Sequence, residues 1–68
     1  MKVLLNGERR DLGEGATVRE AVTATGAPSE GRGVAVALDG EVVPRRRWDD
    51  MPLREGQRVE VVQAVQGG

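Results

Sequence analysis

The sequence predicts an α+β domain, a mixed sheet of about five strands with one helix packed across it, and three observations carry that reading. Two hairpin dipeptides, Asn6-Gly7 and Asp39-Gly40, each stand between strand-like runs. One amphipathic stretch lies between the two hairpins. The most apolar run, Val59-Glu60-Val61-Val62-Gln63-Ala64-Val65, comes last, and a strand of that composition belongs in the middle of a sheet. Set beside the first strand, it joins both hairpins into one sheet of element order β-β-α-β-β-β.

Met1 to Leu5 reads as the first strand, and Asn6-Gly7 supplies two residues that tolerate the positive φ of a type I′ turn. The second strand, Glu8 to Leu12, is short and charged, as an edge strand should be. Gly13 and Gly15 mark a turn, and Thr17-Val18-Arg19-Glu20 fits a capping box opening a helix. Val18, Ala21, Val22 and Thr25 then fall on one face for about two turns, until Gly26 and Pro28 end it. Residues 27–33 are small, polar and glycine-rich and read as a loop without a motif. Val34 to Leu38 lacks a polar face, so it is either buried on both sides or carries its alanines outward. Asp39-Gly40 turns it into Glu41-Val42-Val43, which Pro44 stops. Residues 45–52 read as irregular, and Glu55-Gly56 as the last turn. In the final strand, from Arg58 to about Val65, Val59 and Val61 share one parity and Val62 and Ala64 the other, a slip that suggests a bulge.

Composition removes most enzyme chemistries. With neither cysteine nor histidine there is no disulfide, thiolate nucleophile, thiolate metal site or imidazole proton shuttle. The single serine, Ser29, lies between Pro28 and Glu30 with no base in its sequence vicinity. The carboxylates Asp49-Asp50 and Glu60 show no spacing that implies catalysis or metal binding. The glycines at 13, 15, 31 and 33 do not follow a strand and open a helix as a phosphate loop would. No catalytic residue, bound metal or bound cofactor is expected. Ten basic and eleven acidic residues, interspersed to a net charge of −1, argue against a nucleic-acid or membrane-surface binder. No apolar stretch approaches the ~20 residues of a membrane span, and no leader-like segment follows Met1, so the expected setting is the cytoplasm.

Arg45-Arg46-Arg47-Trp48 could form a basic patch with a stacking aromatic, but Asp49 and Asp50 offset it and no second aromatic exists. Trp48 is either a core plug closing one end of the sheet or a partner anchor, and is expected to be partly buried with its rim left for a partner. The tail, Gln66-Gly67-Gly68, carries the functional suggestion. Glycine can pass through a narrow cleft in extended form, leaving a terminal carboxylate open to attack. Such a carboxylate becomes electrophilic once an oxygen is made a leaving group, as in a mixed anhydride with AMP. A sulfur nucleophile could then displace AMP and leave a thiocarboxylate.

Together these features resemble the β-grasp family of ubiquitin-like sulfur carriers, and within it the ThiS family of thiamine thiazole biosynthesis. The residues that carry the resemblance are Asn6, Gly15-x-Thr17-Val18, Ala35-Val36-Ala37, Val42-Val43-Pro44-Arg45-x-x-Trp48, Leu53-x-x-Gly56 and the closing Val65-Gln66-Gly67-Gly68. Gln57 departs from the family, which usually has an acidic residue there.

The resemblance implies a β-grasp domain over residues 1–65 with a flexible tail at 66–68, and a protein that is itself a substrate. A ThiF-like adenylating enzyme would use ATP and magnesium to convert the Gly68 carboxylate to an acyl adenylate. Sulfur would come from a cysteine-derived persulfide, as a cysteine desulfurase provides, and the thiocarboxylate would donate it to ThiG, the thiazole synthase. Gly67 and Gln66 would thread into both enzymes while Trp48, Arg45 and Leu4 dock, and the carrier would be a monomer when free. Three alternatives stay open. One is a carrier of another pathway, such as a molybdopterin-synthase small subunit or a carrier for cysteine or a secondary metabolite. The others are a ubiquitin-like modifier joined to lysines, and a binding module with an inert tail.

Overall fold

The computed structural model describes residues 1–28 and 30–64. Strands β1 (Lys2–Leu5) and β2 (Glu8–Asp11) pair antiparallel from Lys2 opposite Asp11 to Leu5 opposite Glu8. Asn6 at φ 52° and Gly7 at φ 83° make the two-residue turn between them, with both central residues in the left-handed region as type I′ demands. Asp39 at φ 49° and Gly40 at φ 88° repeat the device between β3 (Val34–Leu38) and β4 (Glu41–Val42).

Strand β5 (Arg58–Gln63) lies between the hairpins, parallel to β1 and antiparallel to β3, so the sheet runs β2-β1-β5-β3-β4. The expected central place of the last strand is what the structure has. The expected bulge is not. The β3–β5 ladder is unbroken from Val34 opposite Gln63 to Leu38 opposite Val59, and Val62 simply faces outward. The parity slip therefore marks an apolar residue on the solvent side, because alternation alone cannot separate an extra residue from an exposed valine.

Helix α1 (Val18–Ala24) covers the other face, burying Val18, Ala21 and Val22 against Val3, Leu5, Val36 and Val59. Short side chains on both sides let helix and sheet approach closely. Thr17 is the N-cap, but its side chain makes no capping bond, contrary to the capping-box reading. Tertiary backbone pairing replaces it: Thr17 bridges Pro52, Val18 N–H donates to the Met51 carbonyl at 3.0 Å, and Leu53 N–H donates to the Ala16 carbonyl at 2.8 Å. At the other end Gly26, at φ 87°, takes the chain out of the helix, and Arg10 donates to the part-buried Ala24 carbonyl at 3.0 Å.

The segment read as irregular is a 3₁₀ helix, Arg45–Asp50, entered directly after Pro44, so this element stands between the fourth and fifth strands. Leucine-free and triply basic at its start, it shows no helical periodicity. A single buried side chain, Trp48, fixes it to the core.

Candidate functional site

Two contacts fix the point at which the chain leaves the sheet. The side-chain amide of Asn6 sits across β5 like a short strand of its own. Its Oδ1 accepts the Val61 N–H at 2.8 Å and its Nδ2 donates to the Val61 carbonyl at 3.2 Å, while the Asn6 N–H donates to the Val59 carbonyl at 2.8 Å. Beyond the end of β5, Ala64 N–H donates to the Gly33 carbonyl at 2.6 Å, adding one rung to the β3–β5 ladder. The tail residues Gln66, Gly67 and Gly68, and Val65 before them, lie outside the described residues.

The sheet face away from the helix is the open one. Val42 is 77 % exposed and Val62 63 % exposed, the two large apolar side chains that the described residues leave in solvent. They stand opposite Ala37 and Ala35 respectively, so the outward alanines of β3 lie between them and form a low apolar strip. Toward β1 the face becomes charged: Leu4, half-buried, is flanked by Arg58 on β5 and Arg9 on β2. Beside it an open cleft is lined by Lys2, Leu4, Arg9, Glu55 and Gly56.

Trp48 corrects the expectation of a half-exposed anchor. Its side chain is 1 % exposed, and the indole N–H donates to the Val43 carbonyl at 3.0 Å. The ring is covered on one side by Gly31 and on another by Arg19, whose guanidinium lies 5.5 Å from its centroid and also pairs with Asp49. So large a side chain buries more apolar area than any other here, and a core of valines and alanines has a gap at this end of the sheet for it to fill. Arg45 is exposed, with its aliphatic stem against Gly31 and its guanidinium donating to the Glu30 carbonyl at 3.1 Å. It therefore packs on Gly31 beside the tryptophan while presenting charge to solvent. Sequence reasoning missed Gly31, which lay in a loop with no readable motif, and the second role of Asn6, whose turn signal was explanation enough.

Gln57, the departure from the family pattern, is tied into this framework. Its side-chain oxygen accepts the Arg54 N–H at 2.6 Å and its amide donates to Asp39 at 3.3 Å. Among the described residues no group of three or more acidic side chains is placed to hold a metal, and no helix is long and apolar enough to cross a membrane.

The sequence model of the ThiS family matches residues 3–68. This chain belongs to the ThiS family. The sulfur carrier protein ThiS of Thermus thermophilus is 47 % identical over 66 residues, 97 % of this chain and 98 % of that one. The ThiS protein of Escherichia coli K12 is 26 % identical over the full length of both. A thiazole synthase of Paramagnetospirillum magneticum is 32 % identical over 68 residues, all of this chain and 20 % of that protein. The crystal structure of ThiS from Geobacter metallireducens superposes over the full length of both chains with a TM-score of 0.78 at 28 % identity. A solution structure of a thiamine biosynthesis protein from that organism reaches 0.81 at 30 % identity, covering all of this chain and 88 % of that one. The fold is the β-grasp of this family, and the chain is a small sulfur carrier of thiamine biosynthesis rather than a catalyst.

Proposed function

We propose that the working group is the Gly68 carboxylate, presented on a tail whose base is held by Asn6 and Gly33. In the first step a carboxylate oxygen attacks the α-phosphorus of ATP on a ThiF-like adenylating enzyme, and pyrophosphate leaves. In the second a sulfur nucleophile attacks the acyl carbon and AMP leaves. Where that nucleophile is a protein persulfide, a thiol must then cleave the S–S bond of the acyl disulfide to release the thiocarboxylate. A thiazole synthase of the ThiG type then takes the sulfur. ATP and magnesium belong to the adenylating partner, and the setting is the cytoplasm, with the carrier a monomer between encounters. The observation that carries this reading is the extent of the family match, which runs through Gly67-Gly68. Similarity to a stretch of a thiazole synthase supports that enzyme class as partner.

Docking is assigned to the open sheet face, through the strip formed by Val42, Ala37, Ala35 and Val62, with Leu4 and Arg45 at its margins. An apolar strip beside charged residues suits a transient interface, whose centre is dry and whose rim is polar. Trp48 takes no direct part.

The test is intact mass after incubation with an adenylating enzyme, ATP, magnesium and a sulfur donor. The chain should gain the mass difference between sulfur and oxygen, and removal of Gly67 and Gly68 should abolish the gain while leaving the fold intact. Conjugates to other proteins would instead identify a modifier, and loading that survived loss of both glycines would end the carboxylate reading. Val62→Glu, at an exposed position, should leave stability within about 0.5 kcal/mol and weaken docking at least tenfold.

A further inference from the structure

We infer that Trp48 and Gly31 are positioning residues for the reactive tail, acting through the Gly33 carbonyl on the Ala64 N–H; this rests on the carrier reading above. The relay is continuous. The indole is fixed by its bond to the Val43 carbonyl, at the end of the β3–β4 hairpin. Gly31, buried and at φ 78°, lies directly on the ring: a Cβ there would stand 2.6 Å from Cζ3 and 2.9 Å from Cη2 of Trp48 and 2.7 Å from Cδ of Arg45. From this contact the chain makes one tight turn, with the Val34 N–H donating to the Gly31 carbonyl at 3.1 Å and Gly33 at φ 69°. That turn aims the Gly33 carbonyl at Ala64, whose N–H it accepts at 2.6 Å.

Ala64 is exposed and lies beyond the last residue of β5. Among the described residues its direction is set by the hydrogen bond to Gly33, and that bond by a loop whose position depends on the tryptophan plate. A sequence in which a large ring is matched to a glycine in the loop, and not to an ordinary side chain, keeps that loop in a single place. The described chain thus ends on a fixed point at Ala64, and an enzyme that docks the sheet face takes up the tail from there. Loosening the anchor adds one backbone residue to those that must be ordered at each turnover. That ordering corresponds to about a fivefold to thirtyfold loss of rate.

The experiment compares the full chain with Trp48→Phe and Ala64→Pro. Ala64→Pro removes the donor at an exposed site, and Gln63 before it is already extended, as a residue preceding proline prefers. The readouts are loading kinetics with adenylating enzyme, ATP, magnesium and sulfide, and amide exchange of Ala64 by NMR. Both variants should lose kcat by about fivefold to thirtyfold with KM for the carrier changed less than twofold, and Trp48→Phe should speed Ala64 exchange. A merely structural tryptophan would lower the melting temperature and leave the kcat of the folded fraction unchanged. Wild-type kcat in Ala64→Pro overturns the inference, as does unchanged Ala64 exchange in folded Trp48→Phe. If the wild-type chain takes up no sulfur, the carrier chemistry fails, and the exchange comparison still decides the relay.

Discussion

Replacing Asn6 by glycine separates its two roles, because glycine keeps the left-handed backbone at φ 52° and removes the amide that bridges β5. Both bonds to Val61 are lost, each worth about 0.5–1.5 kcal/mol net. The added freedom of glycine in the unfolded chain costs about 0.4–1 kcal/mol more. The expected loss is therefore about 1.5–4 kcal/mol, against a net stability of about 3–5 kcal/mol for a domain of this size. Asn6→Ala should be worse, since a Cβ in the left-handed region costs about 1–2 kcal/mol in place of the glycine entropy. Asn6→Asp tests the donor alone: an ionised carboxylate accepts the Val61 N–H but sets its second oxygen against the Val61 carbonyl, whereas a protonated one can donate to it. Its deficit should shrink on acidification relative to wild type. Urea denaturation followed by the fluorescence of Trp48, the single tryptophan and 1 % exposed, measures all four proteins with one probe. An Asn6→Gly protein within about 0.5 kcal/mol of wild type would refute the bridge and leave Asn6 as a turn residue only.

Gly31→Ala should destabilise by about 2–4 kcal/mol, combining a strained left-handed alanine with overlap against Trp48 and Arg45, and a thermal melt with a blue- or red-shifted tryptophan emission would reveal it. Gln57→Glu places a carboxylate beside Asp39 and removes the donor between them; on an exposed turn the expected cost is up to about 1 kcal/mol, diminished by salt. The Met1 ammonium, held by a 3.0 Å hydrogen bond to Asp11, titrates above its ordinary value of 8.0, with the charges of Asp11, Glu14 and Glu55 acting in the same direction and desolvation against them. Its contribution to stability is complete below that value and declines as pH rises through the raised one, so denaturation midpoints should fall over that window. Asp11→Asn or acetylation of the amine should flatten the dependence.

Backbone-local signals survived into the structure because the residues involved decide their own conformation. Asn6-Gly7 and Asp39-Gly40 form the expected turns, Gly26 ends the helix, and the run around Val61 lies at the centre of the sheet. Apart from the bulge, what failed depended on partners distant in sequence. Thr17 could not be read as lacking a capping bond, since its neighbours are Met51 and Pro52. For Trp48 the core plug was the less favoured of two readings, since the residue that covers it is a glycine, and a glycine advertises a turn more readily than a contact. At position 6 the choice of asparagine over aspartate was the available clue: a turn accepts either, while bridging both polar groups of Val61 takes a donor and an acceptor together. The tail glycines lie outside the described residues, and their suggested use rests on their chemistry alone.

The position of β5 has a consequence for biogenesis. It follows every other strand in sequence yet stands between both hairpins, so until Arg58–Gln63 is available the chain holds two separate two-stranded ribbons, and isolated ribbons of that size are marginal in water. Synthesis proceeds from the amino terminus, so the sheet closes only as its last strand is delivered. The strand that completes the sheet is also the strand from which the tail departs. A chain truncated before Arg58 should be left to proteolysis, and one able to offer its glycines in register is already a finished domain.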